Sequence, residues 1–356
     1  MKVAVLGAGN GGQTMAADLT LQGHTVSLYE MPAFAGPLRT LFKTREITLS
    51  GFLEGRAEID CVTTDIAEAI QGADIIFIPL PASAHRNYAE LLADHVTDGQ
   101  VIVLMPGTLG SLTFKRIFKE KGVAADVAIC ETSSLAYDTR VEEPGKIHVF
   151  AVNPDLLLGV LPVSKTDAAF KLASNFFSFQ RVEDVLACGL HSLNPVLHIP
   201  GCILNSARIE RSKGNFYLYE EGITPCVAKV MEKFEEERKA LMEALGYSFM
   251  SLAEELAEGR EPRSIWEEVN GCETLEFIKG PTSLQNRYFT EDIPYGLTAW
   301  IALADLLSID VPVMRSLQMI GSILIGYDLT DMVRTKADMG IDGLDQDALK
   351  TYIRDF

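Results

Sequence analysis

The stretch KVAVLGAGNGGQTMAADL at residues 2–19 constrains the fold more than any other. Apolar, strand-forming residues run directly into glycines, and an alanine-rich helical pattern follows at once. Gly7, Gly9 and Gly12 match G-x-G-x-x-G, with Asn10 and Gly11 completing the loop. The first glycine permits a tight turn. The second lets the backbone approach a pyrophosphate, and the third lets helix and strand pack closely. A helix starting there presents unpaired N–H groups and its positive dipole end to phosphates. The expectation is a dinucleotide site at Gly7, Gly9, Asn10, Gly11 and Gly12. The plain alternative is a glycine turn of an α/β protein with no cofactor.

The residues that follow favour the first reading. HTVSLYE reads as a second strand and ends at Glu30, eighteen residues past Gly12. A carboxylate there can accept from both ribose hydroxyls and would repel a 2′-phosphate. No Arg or Lys follows before Arg39, so NAD is expected and NADP is left open. DIIFIPLP, QVIVLM and DVAICE are continuous apolar runs separated by helical patterns. That predicts a parallel sheet covered on both faces. The loops PLPASAH and MPGTLGS fall at carboxyl ends of strands, where ligands of such sheets bind. The backbone around Pro79 and Gly107 is therefore expected to line the coenzyme cleft, and His85 reads as an exposed helix residue. A helix is expected over about 33–43, and REITLSGFLEGRAEID reads as a hairpin. After about residue 186 the patterns are helical. The fold class is thus α/β, a Rossmann domain at 1–186 followed by a mostly α-helical domain at 187–356.

The chain's 356 residues suit two domains. Its six cysteines include no CxxC pair, which points to reduced thiols in a cytoplasmic protein with no metal site. A net charge of −18 speaks against nucleic acid and acidic membranes as partners. No run reaches the ~20 apolar residues of a membrane helix, and the N-terminus lacks a secretory leader pattern. An anionic ligand would need a local site of backbone N–H groups and arginines.

Two stretches could supply chemistry. In HSLNPVLHIPG, Asn194 suits an N-cap and Pro195 the first helical position. His198 lies one turn on from Asn194, and Pro200 is expected to kink the helix beside it. In NRYFTEDIPYGL, Arg287, Glu291 and Asp292 fall in an expected turn before an apolar helix. The bland reading is a structural histidine and a solvated loop with an acidic N-cap. The functional reading has Asp292 orienting the His198 imidazole and Arg287 gripping a substrate carboxylate.

With GAGNGG, NPVLH, FYLYEEGITPCVAKVMEKFEEER and RYFTEDIPYGL in hand, the chain resembles the opine dehydrogenases of octopine/nopaline type over nearly its whole length. The resemblance implies an oxidoreductase that joins an α-keto acid, such as pyruvate, to the amino group of an amino acid. The imine is reduced with NAD(P)H. It also implies that the family's catalytic pair falls on His198 and Asp292, with Asn194 beside them. Arg287, and less directly Arg140 in AYDTR, are expected to bind substrate. Tyr217, Tyr219 and Thr224 are left between pocket and packing roles. Rival readings are a related dehydrogenase of a sugar phosphate, 2-hydroxy acid or branched keto acid, commonly using a lysine (Lys213, Lys229 and Lys233 are available), and an NADH-binding redox sensor without turnover. The apolar helices at 298–308 and 316–327 are read as core, with a homodimer face as the alternative.

Overall fold

The structure, a computed structural model, describes residues 1–355. The chain divides into two units, Met1–Gly189 together with the residues from Lys350 on, and Leu190–Leu349. No helix among the described residues is long and apolar enough to cross a membrane.

The first unit holds strands β1 (Lys2–Leu6), β2 (Thr25–Tyr29), β3 (Glu46–Gly51), β4 (Gly55–Glu58), β5 (Cys61–Thr63), β6 (Ile75–Ile78), β7 (Val101–Leu104), β8 (Ala128–Thr132), β9 (Tyr137–Glu143), β10 (Lys146–Val152), β11 (Leu156–Leu161) and β12 (Phe179–Arg181). Its helices are α1 (Asn10–Leu21), α2 (Arg39–Thr44), α3 (Ile66–Ile70), α4 (His85–Leu92), α5 (Gly110–Glu120) and α6 (Thr166–Ala173), with α7 (Val185–His191) crossing the boundary. Eight strands form one sheet in the order β12-β11-β8-β7-β6-β1-β2-β5. Neighbours run parallel except β11 against β8. The two-residue period of a strand explains why these segments are apolar throughout. Val3, Val5, Ile75, Phe77, Val101 and Val103 join the core on one face. Their alternates Ala4, Leu6, Ile76, Ile78, Ile102 and Leu104 join the core on the other.

A second sheet, β4-β3-β10-β9, was not expected from the sequence. Its β3–β4 hairpin was, and it forms. The parallel pairing of β3 with β10, Thr48 opposite Lys146, joins segments distant in the chain and leaves no local pattern to read. Helix α1 packs against this sheet as well as against β1 and β2, so it is buried nearly all round. Its polar residues spend their hydrogen bonds there. Gln13 Nε2 donates to the Ala8 carbonyl at 2.7 Å, and Gln13 Oε1 accepts the Gly145 N–H at 2.9 Å. The Thr14 and Thr139 hydroxyls meet at 2.8 Å.

Three local expectations need correction. The 33–43 helix is a 3₁₀ turn at Gly36–Leu38 running into α2. His85 is fully buried at the start of α4, edge-on to Phe114. A Cβ on Gly110 would lie 2.2 Å from its Nδ1, so that glycine makes room for the imidazole. The helical domain also does not extend to 356. Residues from Lys350 count with the first unit, because the Lys115 ammonium on α5 donates to the carbonyls of Tyr352 and Asp355. The terminal Phe356 lies outside the described residues.

The second unit consists of α8 (Asn194–Leu204), α9 (Ser206–Ser212), α10 (Pro225–Leu245), α11 (Leu252–Ala257), α12 (Ile265–Asn270), α13 (Arg287–Thr290), α14 (Thr298–Leu307), α15 (Pro312–Ile325) and α16 (Lys336–Met339). Helix α17 (Gln346–Arg354) begins in it. The 21-residue α10 starts at an N-cap Thr224, whose hydroxyl accepts from the Val227 N–H, and ends at Gly246 with φ +87°. It packs against α8, α14 and α15.

Candidate active site

The second unit brings His198 and Asp292 together across 94 residues of sequence. His198 Nδ1 lies 2.7 Å from Asp292 Oδ2. Both side chains are largely buried, at 9% and 14% exposure. An ionised carboxylate only accepts, so Nδ1 carries the shared hydrogen. Nε2 makes no hydrogen bond among the described residues and is left for a ligand.

Helix α8 positions the histidine with different end chemistry from that expected. Leu193 occupies the N-cap, Asn194 is the first helical residue and no side chain caps the helix. Asn194 still sits one turn before His198 on the same face. Pro200 lies inside the helix, so the Val196 carbonyl lacks its usual donor beside the imidazole.

Asp292 comes from a helical stretch and not from a turn. It opens a π-helical turn, Asp292–Leu297, that joins α13 to α14. Pro294, which has no N–H, sits where the α-helical ladder would continue. The widened turn is secured from outside. The Thr298 hydroxyl donates to the Ile293 carbonyl at 2.8 Å, and Gln318 Nε2 donates to that hydroxyl at 2.8 Å. The Pro294 carbonyl accepts the N–H groups of Val333 and Arg334 at 3.1 and 3.0 Å. Such π-turns recur at functional sites because they re-aim one side chain within a rigid helix.

Tyr288 was not singled out from the sequence. Its ring stacks on the His198 imidazole with centroids 3.8 Å apart and planes 22° off parallel. Its hydroxyl is hydrogen-bonded to that of the buried Tyr219. Burial pushes both phenols above their ordinary range. The four-residue spacing of Tyr288 and Asp292 was the available signal, hidden by reading RYFTEDIP as a turn. Arg287 is exposed, with its guanidinium 6.0 Å from the Tyr288 ring centroid and no ion pair among the described residues. Of the residues left between pocket and packing, only Tyr219 reaches this cluster. Tyr217 lies under Lys279 and against Phe277, and Thr224 caps α10. Lys213, Lys229 and Lys233 are all exposed, and Lys233 is paired with Glu236.

In the first unit the glycine loop has the form its spacing predicts. Gly7 has φ +100°, and a Cβ on Gly12 would fall 1.7 Å from the Gly7 carbonyl oxygen. Gly9 is exposed with open space where its Cβ would be. The first bond along α1 runs from the Gln13 N–H to the Gly9 carbonyl at 3.0 Å. The N–H groups of Asn10, Gly11 and Gly12 therefore precede the helical ladder and suit a phosphate, with no acidic side chain in that turn to compete. Asn10 Oδ1 ties the loop to β9 by accepting the Val141 N–H at 2.9 Å. Glu30 stands against the loop, its two oxygens accepting from the Ala8 and Met31 N–H groups at 2.8 Å each. Pro79 packs on Gly11. Gly107 meets a buried carboxylate. It is buried, and a Cβ there would lie 2.2 Å from the Glu131 carboxylate. Glu131 accepts the Leu109 and Ser111 N–H groups at 2.9 and 2.7 Å, so glycine here makes room for that clasp. Arg140 is exposed on β9, opposite His148.

Comparison with known proteins adds independent evidence. Residues 2–149 match the family of the NAD-dependent glycerol-3-phosphate dehydrogenase N-terminus. Residues 181–325 match the alpha-helical domain of NAD/NADP octopine/nopaline dehydrogenase. The chain is 35% identical over 355 residues to the opine dehydrogenase of Arthrobacter sp. (strain 1C), covering 98% of each. Octopine dehydrogenase with NADH and L-arginine superposes with a TM-score of 0.78 at 20% identity. The same enzyme with NADH and pyruvate gives 0.77 at 21%. Each covers 99% of this chain and 98% of its own.

Proposed function

Because the chain belongs to the opine dehydrogenases, NAD(P)-dependent oxidoreductases of the CH–NH bond, we propose that it condenses pyruvate or a similar small α-keto acid with the amino group of an amino acid. The product is an N-(carboxyalkyl) amino acid. The octopine dehydrogenase structures with NADH and pyruvate or L-arginine support this choice of substrate classes. The observation that carries the reading is the 2.7 Å contact between His198 and Asp292.

The N–H groups of residues 10–12, with the Glu30 carboxylate beside them, would hold the dinucleotide, which would supply the hydride. The chain's own residues manage the proton. The amine adds to the keto carbon to give a carbinolamine. His198, its Nδ1–H held by Asp292, gives the Nε2 proton to the departing hydroxyl, which leaves as water. The resulting iminium carbon then takes the hydride, and the secondary amine forms. In the reverse direction Nε2 accepts the proton. A general acid of this kind is worth about 10²–10⁴-fold in rate. Arg287, exposed beside Tyr288 and without an ion pair among the described residues, supplies the cation for a substrate carboxylate in a strongly acidic protein. Asn194 lines the same helix face.

The test is NADH consumption with pyruvate plus a panel of amino acids, compared with pyruvate alone. Turnover is expected only when both substrates are present. The H198N and D292N variants are expected to bind NADH normally and lose about 10²–10⁴-fold in kcat. NADH oxidation by pyruvate alone, or full activity in H198N, would overturn the proposal.

A further inference from the structure

We infer that Tyr288 is a positioning residue for the reaction, acting through His198 by the face of its ring; the inference rests on His198 being the proton donor. One hydrogen bond anchors the Nδ1 end of the imidazole to Asp292. That bond sets the tautomer but not the plane of the ring, so Nε2 could still roll about the Nδ1–Oδ2 line. The Tyr288 ring removes this freedom by lying 3.8 Å from the imidazole at 22°.

Tyr288 is itself fixed from three sides. Its backbone N–H donates to the Asn286 side-chain oxygen at 3.1 Å, which caps α13. Its hydroxyl is hydrogen-bonded to that of Tyr219, which is 2% exposed and belongs to the core of the second unit. Its other constraint is covalent. Asp292 lies four residues on, so a single helical stretch carries the ring that meets the face of His198 and the carboxylate that meets its edge. The two cannot shift independently. The phenol hydroxyl is not part of this argument, since it is already engaged with Tyr219.

The test compares Y288F, Y288L and Y288M alone and in the H198N background, measuring kcat, KM for both substrates and the NADH Kd by fluorescence. Y288F keeps the stacking face and is expected to retain kcat within about 3-fold. Y288L and Y288M are expected to lose about 10–100-fold in kcat, with KM and NADH Kd little changed, the size typical of a misplaced catalytic group. In H198N, adding Y288L or Y288M is expected to cost nothing further, because a residue acting through another shows no separate effect once that partner is gone. Two aliphatic replacements guard against one failing to fold, and unaltered NADH binding certifies each variant. Loss of activity in Y288F equal to that in Y288L would overturn the inference in favour of the hydroxyl. A further loss from Y288L on top of H198N would overturn it in favour of an independent role. Wild-type kcat in Y288L, with H198N inactive, would remove Tyr288 alone. Wild-type kcat in H198N would remove the proton-donor reading and this inference with it.

Discussion

Gly9 and Gly12 stand three residues apart in one loop and are glycine for different reasons. A Cβ on Gly12 would meet the backbone oxygen of Gly7 at 1.7 Å, so β1 and α1 would have to part. A Cβ on Gly9 would meet nothing within 4 Å, and its φ of −79° suits any residue. G12A is therefore expected to cost at least about 2 kcal/mol of stability. G9A should change stability by less than about 1 kcal/mol, while its methyl stands where a pyrophosphate would approach and weakens NADH binding by 10-fold or more. Thermal melts with and without NADH separate the two. Gly107 shows the limit of such reading at this scale. In the sequence it is one more glycine after an apolar strand, and only Glu131, folded against it from the next strand, reveals what it makes room for.

Among the elements, those with local chemistry were legible. Helix α12 has Ser264 and Glu267 forming a reciprocal capping box, a pattern visible as S-x-x-E. The neighbouring Glu268 is not explained by that pattern. Its buried carboxylate accepts from the Arg263 Nε and N–H at 3.0 Å each, and from Arg260 at 2.9 Å. The Arg263 hydrogen bonds first, and then Arg260, pull its pKa from 4.5 down to about 2. A group with a depressed pKa stabilises the fold above its unfolded value and loses that contribution as pH falls through the folded one. The melting-temperature gap between wild type and E268Q is therefore expected to be constant above about pH 4.5 and to close toward pH 2. A gap that persists at pH 2 would show that the charge is not the cause. The stretch 286–297 misled for an equally physical reason. Pro294 and Gly296 are turn signals in isolation, yet the segment stays helical because a π-turn absorbs the residue that the α-period cannot.

At the scale of the molecule, the last helix shows how a distant contact reassigns an element. Lys115 is only 4% exposed, lies 4.1 Å from the Tyr352 ring centroid and donates to carbonyls at the chain's C-terminal end. Burial, and then Lys119, lower its pKa from 10.5 to about 8 against the opposing effect of Asp355. Here the unfolded chain binds more protons between about pH 8 and 10.5, so stability rises with pH across that window. Relative to K115M, wild type is expected to gain in melting temperature between pH 7.5 and pH 10. A difference that shrinks over that range would contradict the burial of the ammonium.

By itself the sequence determined the parts that depend on near neighbours: the glycine loop and its helix, the two-faced strands of the parallel sheet, the β3–β4 hairpin, the capped helices of the second unit, and the two motifs that carry His198 and Asp292. These follow from periods of 2 and 3.6 residues and from backbone sterics, which act within a few positions. Tertiary structure alone decided the pairing of β3 with β10, the π-turn that aims Asp292, the Tyr288 ring on the imidazole, the clasp at Gly107 and the home of the last helix. Each joins groups far apart in the chain or resolves a local ambiguity by outside hydrogen bonds. Such contacts form only when packing offers burial enough to offset the entropy of closing long loops, and no short window of residues records that balance.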